Sequence, residues 1–218
     1  YTFYAPMQAS PWFYVGLALV VVGSWVASFV VIANYLRWRK ENSKKSSPLF
    51  AFMAVATVIL WLHCSLFVAL EVVLQLIPWS FGWVERVNVT LSRTLFWYFG
   101  HALVYFWLLP AYIYWYVNIP QIVGGKIFSS SLPRLTFLLF ILFSIPVGFH
   151  HQLNEPGIAS FWKFLQVILT MAVVVPTLIT AFSILATFEM AGRAKGASGL
   201  LGWLKKLPWN DVRFLAPF

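Results

Sequence analysis

Five long apolar stretches dominate the chain, and a shorter polar segment separates each from the next. They cover approximately residues 12–36, 49–77, 89–117, 132–149 and 161–190. A transmembrane α-helix needs about 17 to 25 mainly apolar residues, and every stretch reaches that length. The pattern predicts an all-α fold, a polytopic transmembrane bundle of five helices, in which residues 1–218 form a single membrane domain.

Composition and the placement of charge support this prediction. Hydrophobic residues make up 61% of the chain and charged residues 10%, against about 25% charged residues in an ordinary soluble domain. Most of the basic residues fall in three segments: between the first and second stretches, between the third and fourth, and after the fifth. These residues are Arg37, Arg39, Lys40, Lys44 and Lys45; Lys126 and Arg134; and Arg193, Lys195, Lys205, Lys206 and Arg213. Arg86, Arg93 and Lys163 fall on the other side.

This asymmetry orients the predicted bundle. Short cytoplasmic loops carry an excess of Lys and Arg, so the three basic segments are predicted to be cytoplasmic and the first helix to begin outside. The net charge of +9 therefore follows from topology and gives no reason to expect nucleic-acid binding.

Histidine and tyrosine residues stand where lipid-spanning helices are predicted. His101 and Tyr105 lie one helical turn apart in the third stretch, and His150 and His151 follow the fourth. Imidazoles at membrane depth are costly and mark sites that pair, bind metal or move protons. Three neutral imidazoles, with no competing cysteine or carboxylate, suit copper, zinc or iron. The sequence therefore predicts a metal site formed by the three histidines.

The adjacent histidines need irregular backbone to share that site. Neighbouring residues on a regular helix point about 100° apart, so His150 and His151 cannot both face His101 from one. Pro146 and Gly148 precede the pair and supply such a break. The fourth histidine, His63 in the second stretch, is predicted to make a hydrogen bond between helices. Glu71, near the outer end of that stretch, is interpreted as a structural acid.

Two lines of hydroxyl groups run from the histidines toward the basic side. On a helix, Tyr105, Tyr112 and Tyr116 fall within about 60° of His101. The fifth stretch carries a matching polar line, which consists of Thr170, Thr177, Thr180, Ser183 and Thr187. Because both stretches run from outside to inside, these lines resemble the walls of a proton path. Interfacial anchoring of the tyrosines and hydroxyl bonds to preceding carbonyls remain the alternatives.

Two segments carry a family resemblance. The sequences GHALVYFWLLPAY, residues 100–112, and PVGFHHQ, residues 146–152, closely resemble subunit I of the haem–copper oxygen reductases. The nearest branch is the B type, the ba-type cytochrome c oxidases, and the similarity covers essentially the whole chain. It implies that the five helices belong to a subunit of about 12–13 helices. We accordingly expect the chain, which opens on Tyr1 without Met, to be an internal piece of a longer polypeptide.

The resemblance also implies roles for particular residues. His101, His150 and His151 would bind a copper ion that faces a high-spin haem, where oxygen is reduced to water. Tyr105 would be covalently joined to His101 and would supply an electron and a proton. The implied proton pathway consists of Tyr105, Tyr112, Tyr116, Ser129, Thr177, Thr180 and Ser183. Leu103 occupies the position of a proton-conducting Glu in the A-type enzymes, so the hydroxyl route would act alone.

The implied protein is the catalytic subunit of a respiratory terminal oxidase that couples oxygen reduction to proton translocation. The axial ligands of the high-spin and low-spin haems would lie on helices outside this chain, so the chain alone is expected to be inactive. Implied partners are a subunit II with a copper electron-entry site, cytochrome c as electron donor, oxygen and membrane lipid. The implied location is a bacterial or archaeal plasma membrane, with multiple crossings.

Two alternatives to the oxidase remain. A nitric oxide reductase-like enzyme would hold non-haem iron in place of copper, but such enzymes lack the tyrosine found at Tyr105. A non-catalytic transporter or structural membrane subunit would use the histidines only to bridge helices.

Overall fold

The computed structural model describes residues 4–144 and 147–217, which contain helices and turns but no β-strand. The principal helices are α1 (Pro11–Glu41), α2 (Leu49–Glu71), α3 (Val89–Val117), α4 (Ser131–Ser144) and α5 (Ser160–Ala194). With the turns that continue α2 and α4, the described residues contain five helices long and apolar enough to cross a membrane. The predicted number of spans is confirmed.

The outer end of α2 widens into a π turn. This turn covers Val72–Leu76, and a short α-helical piece, Ile77–Ser80, follows it. Proline has no N–H to donate to the preceding turn and its ring crowds the carbonyl four residues earlier. Pro78 therefore explains why a regular α-helix does not continue through this end of the second span.

The fourth span differs from its prediction at its outer end. The helix α4 stops at Ser144, and a 3₁₀ turn covers Val147–Gln152, so the regular helix predicted to residue 149 is too long. The predicted break at Pro146 lies outside the described residues. Gly148 allows the turn to approach α3, because a Cβ atom there would collide with the backbone carbonyl of Trp97. This close approach brings the histidine pair against α3.

The helix α3 lies at the centre of the bundle. It packs along α2 on one side and against the 3₁₀ turn and α4 on another, while α5 packs on α4 and the same turn. On the far side of α2, α1 is joined to it by two reciprocal hydrogen bonds. Trp25 Nε1 donates to Ser65 Oγ at 2.7 Å, and Trp61 Nε1 donates to Ser24 Oγ at 2.8 Å. The position of α3 lets it contribute side chains to two different helix interfaces.

The C-terminal segment folds back on the C-terminal end of α3. Tyr114 donates to the carbonyl of Arg213 at 2.9 Å, and Trp115 Nε1 donates to the carbonyl of Pro217 at 2.9 Å. The side chain of Arg213 also bonds Asp211 and holds the pKa of that carboxyl below its usual value. These contacts close the basic end of the bundle.

Candidate metal centre

The three histidines named by the sequence come together in the structure. His101 is buried on α3, whereas His150 and His151 project from the 3₁₀ turn. One ring nitrogen from each of the three lies within 4.8 Å of the others. The ring centroid of His101 lies 4.4 Å from that of His150 and 5.4 Å from that of His151. The irregular backbone expected at the pair is therefore present as a 3₁₀ turn, and it turns both imidazoles toward α3.

The spacing of the nitrogens suits a shared metal ion. His101 Nδ1 and His151 Nε2 are 3.2 Å apart. Two nitrogens bound to one ion at about 2.0 Å with a tetrahedral angle are separated by roughly 3.3 Å. The other nitrogen of His101, Nε2, is buried and has no hydrogen-bond partner in the described part of the chain. The convergence of three imidazoles, one of them buried, fits a bound metal.

Thr170 sets the tautomer of His150. The Thr170 hydroxyl donates to the carbonyl of Gln166 at 2.7 Å and lies 2.9 Å from His150 Nδ1. A hydroxyl has one proton to donate, and Thr170 donates it to the carbonyl of Gln166. Its oxygen must therefore accept a hydrogen bond from His150, so the Nδ1 of His150 carries the hydrogen. The lone pair of His150 Nε2 is then free for a metal. A partner on the second ring nitrogen is the usual way in which proteins orient a histidine ligand.

An aromatic ring and an ion pair hold the other side of the cluster. The Trp97 ring stacks on His151 with a centroid distance of 3.8 Å and an interplanar angle of 6°. Beyond it, Arg93 Nη1 contacts Glu155 Oε1 at 2.7 Å and ties the segment after the histidine pair to α3. The sequence analysis placed Thr170 in the polar line of the fifth stretch but predicted no contact between it and a histidine, and it gave Trp97 no role. For Trp97 the available signal was its position one helical turn before His101.

Tyr105 borders the cluster on the cytoplasmic side. Its ring centroid lies 4.8 Å from that of His101, with the two rings at 64°, and 5.4 Å from that of Phe140 on α4. The phenol therefore lies next to the presumed ligand, as the i,i+4 spacing predicted. The phenol of Tyr105 can therefore hold a proton beside one of the three histidines.

The predicted hydroxyl lines of α3 and α5 meet below Tyr105. Tyr116 donates to Thr180 Oγ1 at 2.9 Å, and Thr180 in turn donates to the carbonyl of Pro176 at 3.0 Å. The phenol of Tyr112 lies near the side chain of Thr177. The Ser183 hydroxyl is buried and has no partner among the residues described. The structure therefore joins Tyr116 and Thr180 by a hydrogen bond and places Thr177 close to Tyr112.

The structure also describes Ser129 and His63, two other polar residues that the sequence analysis singled out. Ser129 accepts the backbone N–H groups of Ser131 and Leu132, each at 3.2 Å, and so caps the start of α4. Within residues 4–144 and 147–217 its side chain bonds no other pathway residue. The Nε2 of His63 is buried and its ring lies beside Phe67; no described residue bonds that nitrogen, so the hydrogen bond between helices stays a prediction.

Comparison with known proteins relates this arrangement to a family. Residues 1–204 match the family model described as cytochrome c and quinol oxidase polypeptide I. The chain is 48% identical over 217 residues to cytochrome c oxidase subunit 1 of Thermus thermophilus, which covers 100% of this chain and 39% of that protein. It is 26% identical over 202 residues to cytochrome c oxidase subunit 1 of Bacillus subtilis, covering 90% of this chain and 32% of the relative.

A solved structure of a haem–copper terminal oxidase dimer also matches. The TM-score is 0.86 at 43% sequence identity, over 89% of this chain and 34% of that chain. The chain thus spans about two fifths or less of the length of the relatives that it matches.

Proposed function

Because the chain belongs to the family of cytochrome c and quinol oxidase polypeptide I, we propose that it is part of the catalytic subunit of a respiratory terminal oxidase. The proposed reaction is reduction of oxygen to water at a haem–copper centre, coupled to proton translocation. Residues 1–218 would form part of one membrane domain in the complete subunit. The observation that carries the proposal is the convergence of three histidine nitrogens at the junction of α3 and the 3₁₀ turn.

His101, His150 and His151 are the residues that would hold copper. Copper bound here would supply, together with a haem iron, the redox centre for oxygen reduction. The protein contributes orientation: Thr170 keeps the hydrogen on His150 Nδ1, and Trp97 holds the plane of His151 by stacking. Burial of His101 in α3 keeps bulk water from its ring. These contacts support neutral imidazoles, which is the form that binds a metal.

The proposed proton route leads from the cytoplasmic side to Tyr105. Tyr116 with Thr180 and Tyr112 with Thr177 provide successive hydroxyl pairs along the interface of α3 and α5. Ser183 would extend the route inward, and Ser129 would stand at its entrance. At the outer end of the route, the Tyr105 hydroxyl can deliver a proton beside His101.

The protein is an integral membrane protein that crosses the membrane several times. We propose a bacterial or archaeal plasma membrane as its location. The proposed partners are a subunit II with a copper electron-entry site and cytochrome c as donor. Two of the relatives described above bear the name cytochrome c oxidase, which supports this choice of donor.

The test compares a histidine of the cluster with a histidine outside it in the full-length protein. His150→Ala should abolish copper binding and reduce oxygen consumption to background, measured by elemental analysis and an oxygen electrode. His63→Gln, which alters a half-buried histidine outside the cluster, should leave the copper content at one ion per site and preserve the haem spectrum. Wild-type copper and oxygen consumption in His150→Ala would refute the site.

The same metal analysis separates the alternatives. Iron in the three-histidine site would favour a nitric oxide reductase. A protein that holds no haem and tolerates loss of His101 would instead be a transporter or structural subunit.

A further inference from the structure

Glu71 carries a fully buried carboxyl group on the opposite side of α3 from the histidines. It ends α2, where this helix meets α1 and α3. Its Oε1 accepts a hydrogen bond of 2.5 Å from Ser92 Oγ, and its Oε2 is buried without a partner among the described residues. The ion pairs found in residues 4–144 and 147–217 do not include Glu71.

The surroundings of Glu71 favour its neutral form. The hydroxyl of Ser92 from α3 is its hydrogen-bond partner, the phenol of Tyr14 from α1 is near enough to interact with it, and Gln75 follows one turn later on its own span. Arg93 follows Ser92 in sequence, but its guanidinium is held by Glu155 at 2.7 Å. Burying a carboxylate without a cation costs several kcal/mol. A protonated carboxyl avoids this cost, so the structure stores a proton at Glu71.

Polar side chains lie between this carboxyl and the outer end of the bundle. Gln75 lies four residues after Glu71 on the π turn, and its Nε2 is also buried without a partner in the described chain. Side chains four residues apart share one face of a helix, and polar atoms left unpaired in such a place are typical partners of an internal water. Ser92 stands three residues after the start of α3, whose outer end is capped by the exposed Asn88.

The location of Glu71 relative to the metal centre is also informative. Ser92 precedes His101 by nine residues, which places it about 13 Å outward along α3 and on the opposite face of the helix. The carboxyl thus lies between the level of the histidine cluster and the outer surface. The hydroxyl line of Tyr112, Tyr116 and Thr180 lies on the other, cytoplasmic side of that level.

We propose that Glu71 is a proton-holding site in the outer half of the protein, from which protons pass to the outer surface by way of Gln75 and Ser92. The inference rests on the proposed function, since an oxidase that translocates protons must release them on this side. The step moves a proton and no electrons. The acid O–H bond breaks, water at the outer surface takes the proton, and the carboxylate is protonated again from the inner side.

Infrared spectroscopy of the full-length oxidase tests the held proton. Exposed glutamates have a pKa of about 4.3 and are ionised at neutral pH, so a carboxylic acid carbonyl band there reports a buried neutral acid. Glu71→Gln should lose this band, while Glu189→Gln, at an exposed ion pair with Arg193, should keep it. Ser92→Ala should shift the band, because it removes the hydrogen bond to Glu71. An unchanged band in both Glu71→Gln and Ser92→Ala, or no band in the wild type, would overturn the held proton.

Proton release from the oxidase in sealed vesicles tests the passage outward. Glutamine has the shape of the neutral acid but cannot release the proton, so Glu71→Gln should lose proton release to the outside while oxygen consumption continues. Release equal to that of the wild type would overturn the passage. Failure of the wild-type protein to consume oxygen would refute the proposed function instead, so the two outcomes are distinguishable.

Discussion

The two faces of α3 differ in how their polar side chains are arranged. The face toward α5 and the 3₁₀ turn presents His101, Tyr105, Tyr112 and Tyr116, which meet imidazoles and hydroxyls from other elements. The face toward α2 presents Ser92, which meets the carboxyl of Glu71. On the first face, polar side chains repeat along the helix and form the proposed proton route. The second face holds an isolated acid, sealed between helices.

This difference shows which polar groups a repeating sequence pattern can indicate and which it cannot. A histidine followed by tyrosines at helical spacing marks a face before any partner is known. A single serine in an apolar helix gives no such signal, because many serines in membrane helices only bond the preceding turn. We therefore expect the α5 face to respond to loss of single hydroxyls with functional defects. Equivalent changes on the α2 face should alter function little unless they touch Glu71.

The largest effect is expected at Tyr105. Tyr105→Phe removes the hydroxyl beside His101 and keeps the ring, so copper content should remain normal. Loss of a proton donor at the reacting site should lower oxygen reduction by about 100-fold or more. Oxygen consumption by the full-length variant, with copper measured in parallel, checks this. Activity within the range of the wild type would remove Tyr105 from the mechanism.

A smaller effect is expected at Thr170. Thr170→Val has nearly the same shape but frees His150 Nδ1, so the imidazole loses the contact that fixes its tautomer. Copper affinity should fall by about 10- to 100-fold, measured as copper retained against a chelator. Thr170→Ser keeps the hydroxyl and should retain copper like the wild type. Equal retention in the Val and Ser variants would show that the hydroxyl does not position His150.

The smallest effect is expected at Thr180. Thr180→Val removes the acceptor of the Tyr116 hydrogen bond, which is worth about 1 kcal/mol, so proton uptake should slow by roughly fivefold. The matched control is Thr57→Val on α2, because Thr57 also donates to the carbonyl four residues earlier, at 2.9 Å from Met53. Time-resolved proton uptake by the full-length variants measures both. Equal slowing in the two variants would contradict the proposed difference between the faces.

Ser129 gives a further check on the same comparison. Its hydroxyl caps α4 in the structure, although the family resemblance includes it in the proton pathway. If capping is its main role, Ser129→Ala should lower stability by about 1 kcal/mol and leave the rate of proton uptake unchanged. Slow proton uptake with normal stability would assign it to the pathway.

Much of the fold follows from the sequence because its elements are determined locally. The stretch 89–117 was predicted with the bounds that α3 has, since the stretch is mainly apolar and Asn88 caps its start. The end of the fourth helix was predicted less well. Whether α4 stops at Ser144 or continues to the histidines depends on how closely the 3₁₀ turn approaches Trp97, which is a contact between distant segments.

The candidate site shows the same division. The identities of His101, His150 and His151 were evident from the sequence, because imidazoles are rare at membrane depth and their spacing is distinctive. The tautomer of His150 was not evident from the sequence, because it depends on Thr170, twenty residues away on another helix. The stacking of Trp97 on His151 likewise requires the backbone approach at Gly148.

By itself the sequence determined five membrane spans and the residues able to bind a metal, since hydropathy and helical periodicity are properties of neighbouring residues. Only the tertiary structure decided which nitrogens converge, which hydroxyls pair across α3 and α5, and that Glu71 is sealed against Ser92. The physical reason is that such contacts join residues on different helices. Their distances are set by how whole helices pack, and no local pattern encodes that packing.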